Sequence, residues 1–217
     1  MPSVFWGILI LSALLLFAFL YWQNSSLTVS QYDIPLSGLP KEFDGCRIVH
    51  LSDLHNKRFG KRQKRLLTCV LARKPDYIVL TGDLADKRRT RDERFFPARE
   101  LCEGLVKIAP VFAAMGNHET EKNRVEKMTA VLEACGVTVL ADKTALLHKN
   151  GASLPVIGLA DIAVSAERFG NRQGSFAHCT VLKELYHGAG EGCAILLSHR
   201  PHLVPIYRAA GVPLVLS

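Results

Sequence analysis

Two patterns of apolar positions divide this chain. From Val4 to Trp22 almost every residue is apolar, interrupted only by Gly7 and Ser12. Beyond it, short apolar runs alternate with longer amphipathic or charged stretches. Runs of this kind predict strands over about 46–52, 77–81, 110–115, 137–140, 193–198 and 213–217. Residues 145–148 and 154–159 predict a hairpin around Asn150-Gly151. Helical periodicity predicts helices over about 61–73 (ended by Pro75), 93–107, 121–135, 178–187 and 202–210. Residues 27–34 carry strand-like side chains, and the stretch from Pro35 to Pro40 reads as a turn or linker. Strands that alternate with helices predict an α/β domain with a largely parallel core.

Four apolar runs share one feature. Arg47-Ile48-Val49-His50-Leu51 leads into Ser52-Asp53-Leu54-His55, and Tyr77-Ile78-Val79-Leu80-Thr81-Gly82 leads into Asp83. Val111-Phe112-Ala113-Ala114-Met115-Gly116 leads into Asn117-His118, and Ala194-Ile195-Leu196-Leu197-Ser198 leads into His199. Each run ends in a side chain able to hold a metal or a proton. In open α/β sheets ligands bind at the carboxyl ends of the strands, so residues far apart in sequence are expected to meet there.

The N-terminal run carries no Asp, Glu, Lys, Arg or His, and none occurs before Asp33. Nineteen residues of helix at about 1.5 Å each just span a hydrocarbon core of about 30 Å. Phe5-Trp6 and Tyr21-Trp22 lie at its two ends, where interfacial aromatic residues sit. A cleaved signal peptide would carry a basic leader, a shorter apolar core and a small-x-small cleavage site. This chain shows an uninterrupted run followed by Tyr-Trp-Gln-Asn, and reads instead as an uncleaved anchor. The nearest cations, Lys41 and Arg47, lie too far from the helix end to set its orientation. The expected organisation is therefore an anchor over 1–23, a linker and first strand over 24–43, and a globular α/β domain over 44–217.

The formal net charge is +7, concentrated in two clusters. Lys57, Arg58, Lys61, Arg62, Lys64 and Arg65 follow the first polar motif, and Lys87, Arg88, Arg89 and Arg91 follow the second. Without these ten cations the balance would be −3. Both clusters are expected near the mouth of the site, as a solvated helix face or as a rim that attracts polyanionic substrates or anionic headgroups. Lys57, Arg58, Lys61, Arg62, Arg88 and Arg89 are the candidates for such a rim. Phe59 alone interleaves with these cations, too little for a base-stacking platform, which argues against nucleic acid. The six cysteines lack the spacing of a zinc knuckle or a disulfide framework and read as free thiols, leaning toward a reducing compartment.

Asp53 and His55, two positions apart, can point to one side of a strand end. Asp83 offers two oxygens and can bridge two ions. Asn117 offers a carbonyl oxygen and His199 an imidazole. A mixed O/N set without thiolate suits Mn, Fe or Zn in a reactive site rather than a structural zinc cage. His118 stands beside these ligands, placed to act on a substrate. His50, inside a strand, reads as a buried hydrogen-bonded histidine, and His202 as a solvated helix start.

In their order, Asp53-Leu54-His55, Gly82-Asp83-Leu84-Ala85-Asp86, Gly116-Asn117-His118-Glu119 and His199 resemble the signature of the calcineurin-like metallophosphoesterases, over residues 44–217. With its apolar N-terminus the chain is similar to the membrane-associated bacterial branch of that family. The resemblance implies a four-layer αββα sandwich with a dinuclear centre of two divalent ions. In it, Asp53 and His55 would bind one metal, Asp83 would bridge, and Asn117 and His199 would bind the second. His118 would contact phosphate and protonate the leaving group. Asp86 would orient a ligand or His118, or else cap a helix. The implied reaction is hydrolysis of a phosphodiester, pyrophosphate or phosphomonoester by a metal-bridging hydroxide. Its substrate would be a phosphorylated small molecule or a lipid-linked compound near the bilayer. The family's final G-H-x-H is not met before Ser217, so the sequence reads as truncated. The alternative to an enzyme is then a catalytically impaired fragment with a membrane-bound scaffold role.

Overall fold

The computed structural model describes residues 2–86, 95–120, 124–161, 171–190 and 192–217. Packing divides the chain into two units, Met1–Ile34 and Pro35–Ser217.

The first unit is one helix, α1 (Pro2–Ser25), followed by extended chain. It contains no charged residue, and its large side chains are exposed on every face. It is the one described helix long and apolar enough to cross a membrane by length and composition. The Ser26 hydroxyl donates to the Trp22 carbonyl at 2.7 Å, satisfying one of the end carbonyls that the helix leaves unpaired. The strand expected over 27–34 does not form. No neighbouring strand pairs with it among the described residues, and Val29, Tyr32 and Ile34 stay exposed. Strand-like side chains without a partner ladder or a face to bury have nothing to hold them extended in a sheet.

The second unit contains two four-stranded sheets. The first has the order β1 (Ile48–Leu51), β2 (Tyr77–Leu80), β3 (Val111–Ala113), β4 (Thr138–Val139), all parallel. Its crossovers carry α2 (Lys64–Ala72), α3 (Phe96–Leu105) and α4 (Arg124–Ala134). The second sheet has the order β5 (Lys143–Lys149), β6 (Ala152–Gly158), β7 (Ile195–Leu197), β8 (Leu214–Leu216). β5 and β6 form the expected antiparallel hairpin, turning through Asn150 and Gly151, both at positive φ; β6, β7 and β8 run parallel. Between them lie α5 (Asn171–Gly188), which starts well before the predicted 178, and α6 (Val204–Ala210). The predicted helix over 61–73 splits into a short 3-10 turn, Lys61–Gln63, and α2, because Arg62 and Gln63 adopt positive φ.

Alternation along the strands builds the layers. Tyr77, Val79 and Phe112 of the first sheet meet Leu147, Leu154, Val156, Ile195 and Leu197 of the second in one core. The opposite face of the second sheet (Ile157, Leu196) packs with Leu182 of α5 and Tyr207 of α6. On the first sheet, Ile78 and Leu80 turn the other way and are fully buried, as are Leu101 and Leu105 of α3 and Met128 and Leu132 of α4. Two sheets face to face, with helices outside each, give the α/β arrangement the resemblance implies. All six cysteines are free thiols, with Cys102 and Cys193 buried.

Candidate metal centre

The loops leaving β1 and β2 are joined backbone to backbone. Asp53 N–H donates to the Gly82 carbonyl (3.1 Å), His55 N–H to that of Asp83 (2.9 Å) and Asn56 N–H to that of Leu84 (3.1 Å). Asp53, His55 and Asp83 take left-handed backbone, φ 56°, 46° and 52°. This region is uncommon for residues with a side chain, though Asp and His tolerate it better than most. Such conformations collect at functional sites, where the surroundings hold them in place. Gly82, at φ 92°, has no room for a side chain: a Cβ there would collide with the Gly116 backbone, and one on Gly116 would collide with Asp83. The second and third loops therefore touch only because both positions are glycine.

Beneath them lies a residue to which the motifs gave no task. Glu119 is 1% exposed. Its Oε2 accepts N–H bonds from Asp83 and Gly116, both at 2.9 Å, and its Oε1 accepts from Ala85 at 3.0 Å. One buried carboxylate thus ties the Asp83 loop to the Asn117-His118 loop. Burial, helped by the Asp83 charge, pushes its carboxyl pKa up against the three N–H bonds that favour the anion. Its place as the fourth residue of Gly116-Asn117-His118-Glu119, an acid beside ligands, was the available signal.

Above this floor, three imidazoles converge on one oxygen. The Nε2 atoms of His55, His118 and His199 stand 3.7, 3.7 and 3.3 Å from Asp83 Oδ2. His55 Nε2 also lies 3.4 Å from Asp53 Oδ1. Asp83 is 3% exposed, whereas the Asp53 side chain is 57% exposed. The donors form two groups, His55/Asp83/His118 and Asp53/Asp83/His199, each with its ligand atoms within 4.8 Å of one another. Asp83 belongs to both.

These separations exceed a good hydrogen bond. Two donors each about 2.1 Å from a shared ion stand roughly 3–3.5 Å apart, close to what is seen. Carboxylate and imidazole donors at this spacing fit divalent cations. The imidazoles are also oriented for the task. His199 Nδ1 lies 2.7 Å from the Thr81 carbonyl, where it donates, which leaves Nε2 for Asp83. Thr81 is in turn reached by His50, whose Nε2 is 2.6 Å from Thr81 Oγ1, so His50 is a hydrogen-bonded strand residue behind the site.

The electrostatics follow. Burial alone would raise the Asp83 carboxyl, but His199, the His118 N–H (3.0 Å to Oδ1) and the imidazole charges outweigh it, and the net shift is downward. Burial would lower His199, but the Asp83 carboxylate and the Thr81 carbonyl hold its imidazolium up to about 9. A cation held between these two groups would take the place of that proton.

The other expected residues fall as follows. Asp86 Oδ1 is 3.6 Å from His118 Nδ1, on the far side of that ring from Asp83. Asn117 stands between Gly116 and His118, and its backbone carbonyl accepts the Thr120 hydroxyl at 3.1 Å. His202 is exposed in the short helix Pro201–Leu203. Of the basic rim, Arg58 makes two bonds to Glu100 (3.0 and 3.4 Å), and Arg62 lies 3.6 Å from Glu103. Lys57 sits 5.0 Å from the Phe59 ring, and Lys61 is exposed. Arg88 and Arg89, with Lys87 and Arg91, lie outside the described residues.

The structure is a two-sheet α/β sandwich with imidazoles and carboxylates gathered at the strand ends, a donor set that fits divalent cations. Residues 46–214 match the family model of the calcineurin-like phosphoesterases, and the chain belongs to that family. It is 30% identical over 196 residues to a transmembrane protein with metallophosphoesterase domain from Danio rerio, covering 87% of this chain and 43% of that protein. It is 31% identical over 201 residues to a metallophosphoesterase of Caenorhabditis elegans, covering 91% of this chain and 40% of the relative. The metallophosphoesterase YkoQ of Bacillus subtilis is 26% identical over 211 residues, covering 91% of this chain and 70% of its own length. The chain thus spans about two fifths of the first two relatives. Phosphopantetheinyl hydrolase from Mycobacterium tuberculosis overlaps with a TM-score of 0.48 at 16% identity, over 75% of this chain and 71% of that one.

Proposed function

We propose that this chain hydrolyses phosphoesters at a two-cation centre built on Asp83, on a substrate near a membrane to which α1 anchors it. The observation that carries the reading is the convergence of three imidazole Nε2 atoms on one oxygen of a buried carboxylate. Asp53, His55 and Asp83 would hold one divalent ion, and Asp83, Asn117 and His199 the other. Such cations, when bound, lower the pKa of water and neutralise charge developing on the phosphoryl oxygens.

The chain's own groups supply the rest. Hydrolysis forms a bond from phosphorus to a water oxygen and breaks the bond to the leaving oxygen, which must gain a proton. His118 is the proton donor of this reading: its Nδ1 lies 3.6 Å from Asp86 Oδ1, and its other nitrogen faces the site. His118 could equally be drawn in as a ligand, since its Nε2 is as near Asp83 as that of His55. Its assignment as donor rests on the Asp86 contact. The substrate is read as a phosphodiester or pyrophosphate, free or lipid-linked. Arg58 and Arg62 face acidic partners, which offsets their charge at the rim.

The test is hydrolysis of bis(p-nitrophenyl) phosphate by the full chain in detergent, loaded with Mn²⁺. Turnover is expected, falling at least a hundredfold in Asp83→Ala. Turnover unchanged by that substitution, or none in the loaded wild type, overturns the reading. Extraction at alkaline pH is expected to leave the chain in the membrane fraction, and release would remove the anchor from it.

A further inference from the structure

Among the grouped donors, His199 alone follows a strand of the second sheet; Asp53, His55, Asp83 and His118 follow strands of the first. Its position therefore depends on what fixes the end of β7. The residues on either side of it are held by one hydroxyl. Ser198 Oγ lies 2.7 Å from Tyr207 Oη, and Tyr207 Oη donates to the Arg200 carbonyl at 2.7 Å. A phenol has one hydrogen. With that hydrogen on the Arg200 carbonyl, Tyr207 accepts from Ser198. Tyr207 is 2% exposed, and its ring is set in the outer core beneath α5 and α6.

The side chain of Arg200 is fixed as well. Its Nε and Nη2 donate to Asp161 at 2.6 and 2.9 Å, and the Asp161 carboxylate is wholly buried. Asp161 lies just past the end of β6, the strand beside β7, and Leu159 N–H donates to the Leu197 carbonyl between the two. A two-pronged bond from arginine to a buried carboxylate fixes orientation as well as distance. Ser198-His199-Arg200 is thus held from the helix layer through Tyr207 and from the neighbouring strand end through Asp161. The Thr81 carbonyl then fixes the imidazole.

We infer that Tyr207 and Asp161 are positioning residues for His199, and that they set the affinity of the cation site His199 shares with Asp83 and Asn117. The inference rests on the two-cation reading above. Outer residues that orient metal ligands commonly change affinity 10–100-fold when altered.

The experiment is Mn²⁺ binding to the full chain in detergent by equilibrium dialysis, with stoichiometry and affinities measured. Tyr207→Phe keeps the ring and removes the hydroxyl. It is expected to weaken one of two Mn²⁺ ions at least tenfold, the same ion that His199→Ala loses, while the other stays near its wild-type affinity. Arg200→Lys keeps the charge but cannot make two parallel bonds, and should fall between. Leu182→Ala, a buried apolar change in the same outer core, reports general loosening and should leave both affinities in place. Equal Mn²⁺ affinity in wild type and Tyr207→Phe overturns the inference while the two-cation reading stands. Equal weakening in Leu182→Ala and Tyr207→Phe overturns it too. A wild type that binds no Mn²⁺ overturns both.

Discussion

The two ends of strands β1 and β2 treat charged side chains in opposite ways. At the amino ends, Asp76 accepts the Arg47 N–H at 2.8 Å and pairs with Lys149 at 3.1 Å, so its oxygens are met at ordinary hydrogen-bond lengths. At the carboxyl ends, Asp53, His55, Asp83, His118 and His199 face one another at 3.3–3.7 Å, with three of the five on left-handed backbone. The first arrangement is complete as it stands. The second holds strained backbone and gathers donors at separations that suit a shared cation, and the support lies beneath, in Glu119 and two glycines. Charged groups at the amino ends serve the fold, whereas those at the carboxyl ends are carried by it.

The sharpest way to break that contrast is to remove the support. Glu119→Ala leaves three buried N–H donors without a partner, at about 1–3 kcal/mol each. The loss should be roughly 3–9 kcal/mol, or a Tm lower by about 6 °C or more for a domain of this size. Mn²⁺ binding should fall with it. Glu119→Gln keeps one accepting oxygen but turns an amide N–H₂ toward one donor, and should lie between. Thermal unfolding by circular dichroism reads both. A Tm within about 2 °C of wild type in Glu119→Ala would remove Glu119 from the floor of the site.

Asp53 separates carrying a site from supporting the fold. Its carboxylate is mostly exposed, and among the described residues its nearest partner is the Ser52 hydroxyl at 2.6 Å, with His55 Nε2 at 3.4 Å. Asn tolerates the same positive φ, so Asp53→Asn tests the charge without adding backbone cost. The metal-free protein should change by no more than about 0.5 kcal/mol, as for most exposed substitutions. Mn²⁺ at a hundred times Kd should raise the wild-type stability by about 2.7 kcal/mol, and in Asp53→Asn that gain should shrink. An equal Mn²⁺-induced rise in Tm in both proteins would exclude Asp53 as a ligand.

Much of this site was legible in the chain because its logic is local: an apolar run that ends in a ligand needs only a few residues to be seen. The strand ends carrying Asp53, Asp83, His118 and His199 were found that way. The parallel alternation that brings them together was readable from the spacing of the runs. Tyr207, Asp161 and Arg200 were not legible. An arginine after a ligand, an aspartate after a strand and a tyrosine in a helix carry no pattern until the second sheet brings them within bonding distance. The strand expected over 27–34 failed for the converse reason, since local preference was present and a partner was not. Arg58 looked like rim charge because Glu100, forty-two residues away, could not be seen to meet it.

The smallest expected effect lies at the other end of the strands. Burial alone would raise the Asp76 carboxyl, but the Arg47 N–H and the Lys149 ammonium outweigh it, and its pKa is lowered in the folded chain. A carboxyl depressed on folding adds stability above its unfolded pKa of about 3.9, and that stability is lost as pH falls through the folded value. The Asp76 side chain is 34% exposed, so solvent screening limits the contribution to about 1 kcal/mol or less. Asp76→Asn should therefore lower Tm by no more than about 2–4 °C at pH 7. The gap from wild type should close below about pH 4, where the wild-type carboxyl takes up its proton. Mn²⁺ affinity should not change at any pH, because the pair lies at the opposite ends of the strands from Asp83. Weaker Mn²⁺ binding in Asp76→Asn would show that the two ends are coupled through β1 and β2, and the division drawn between them would fail.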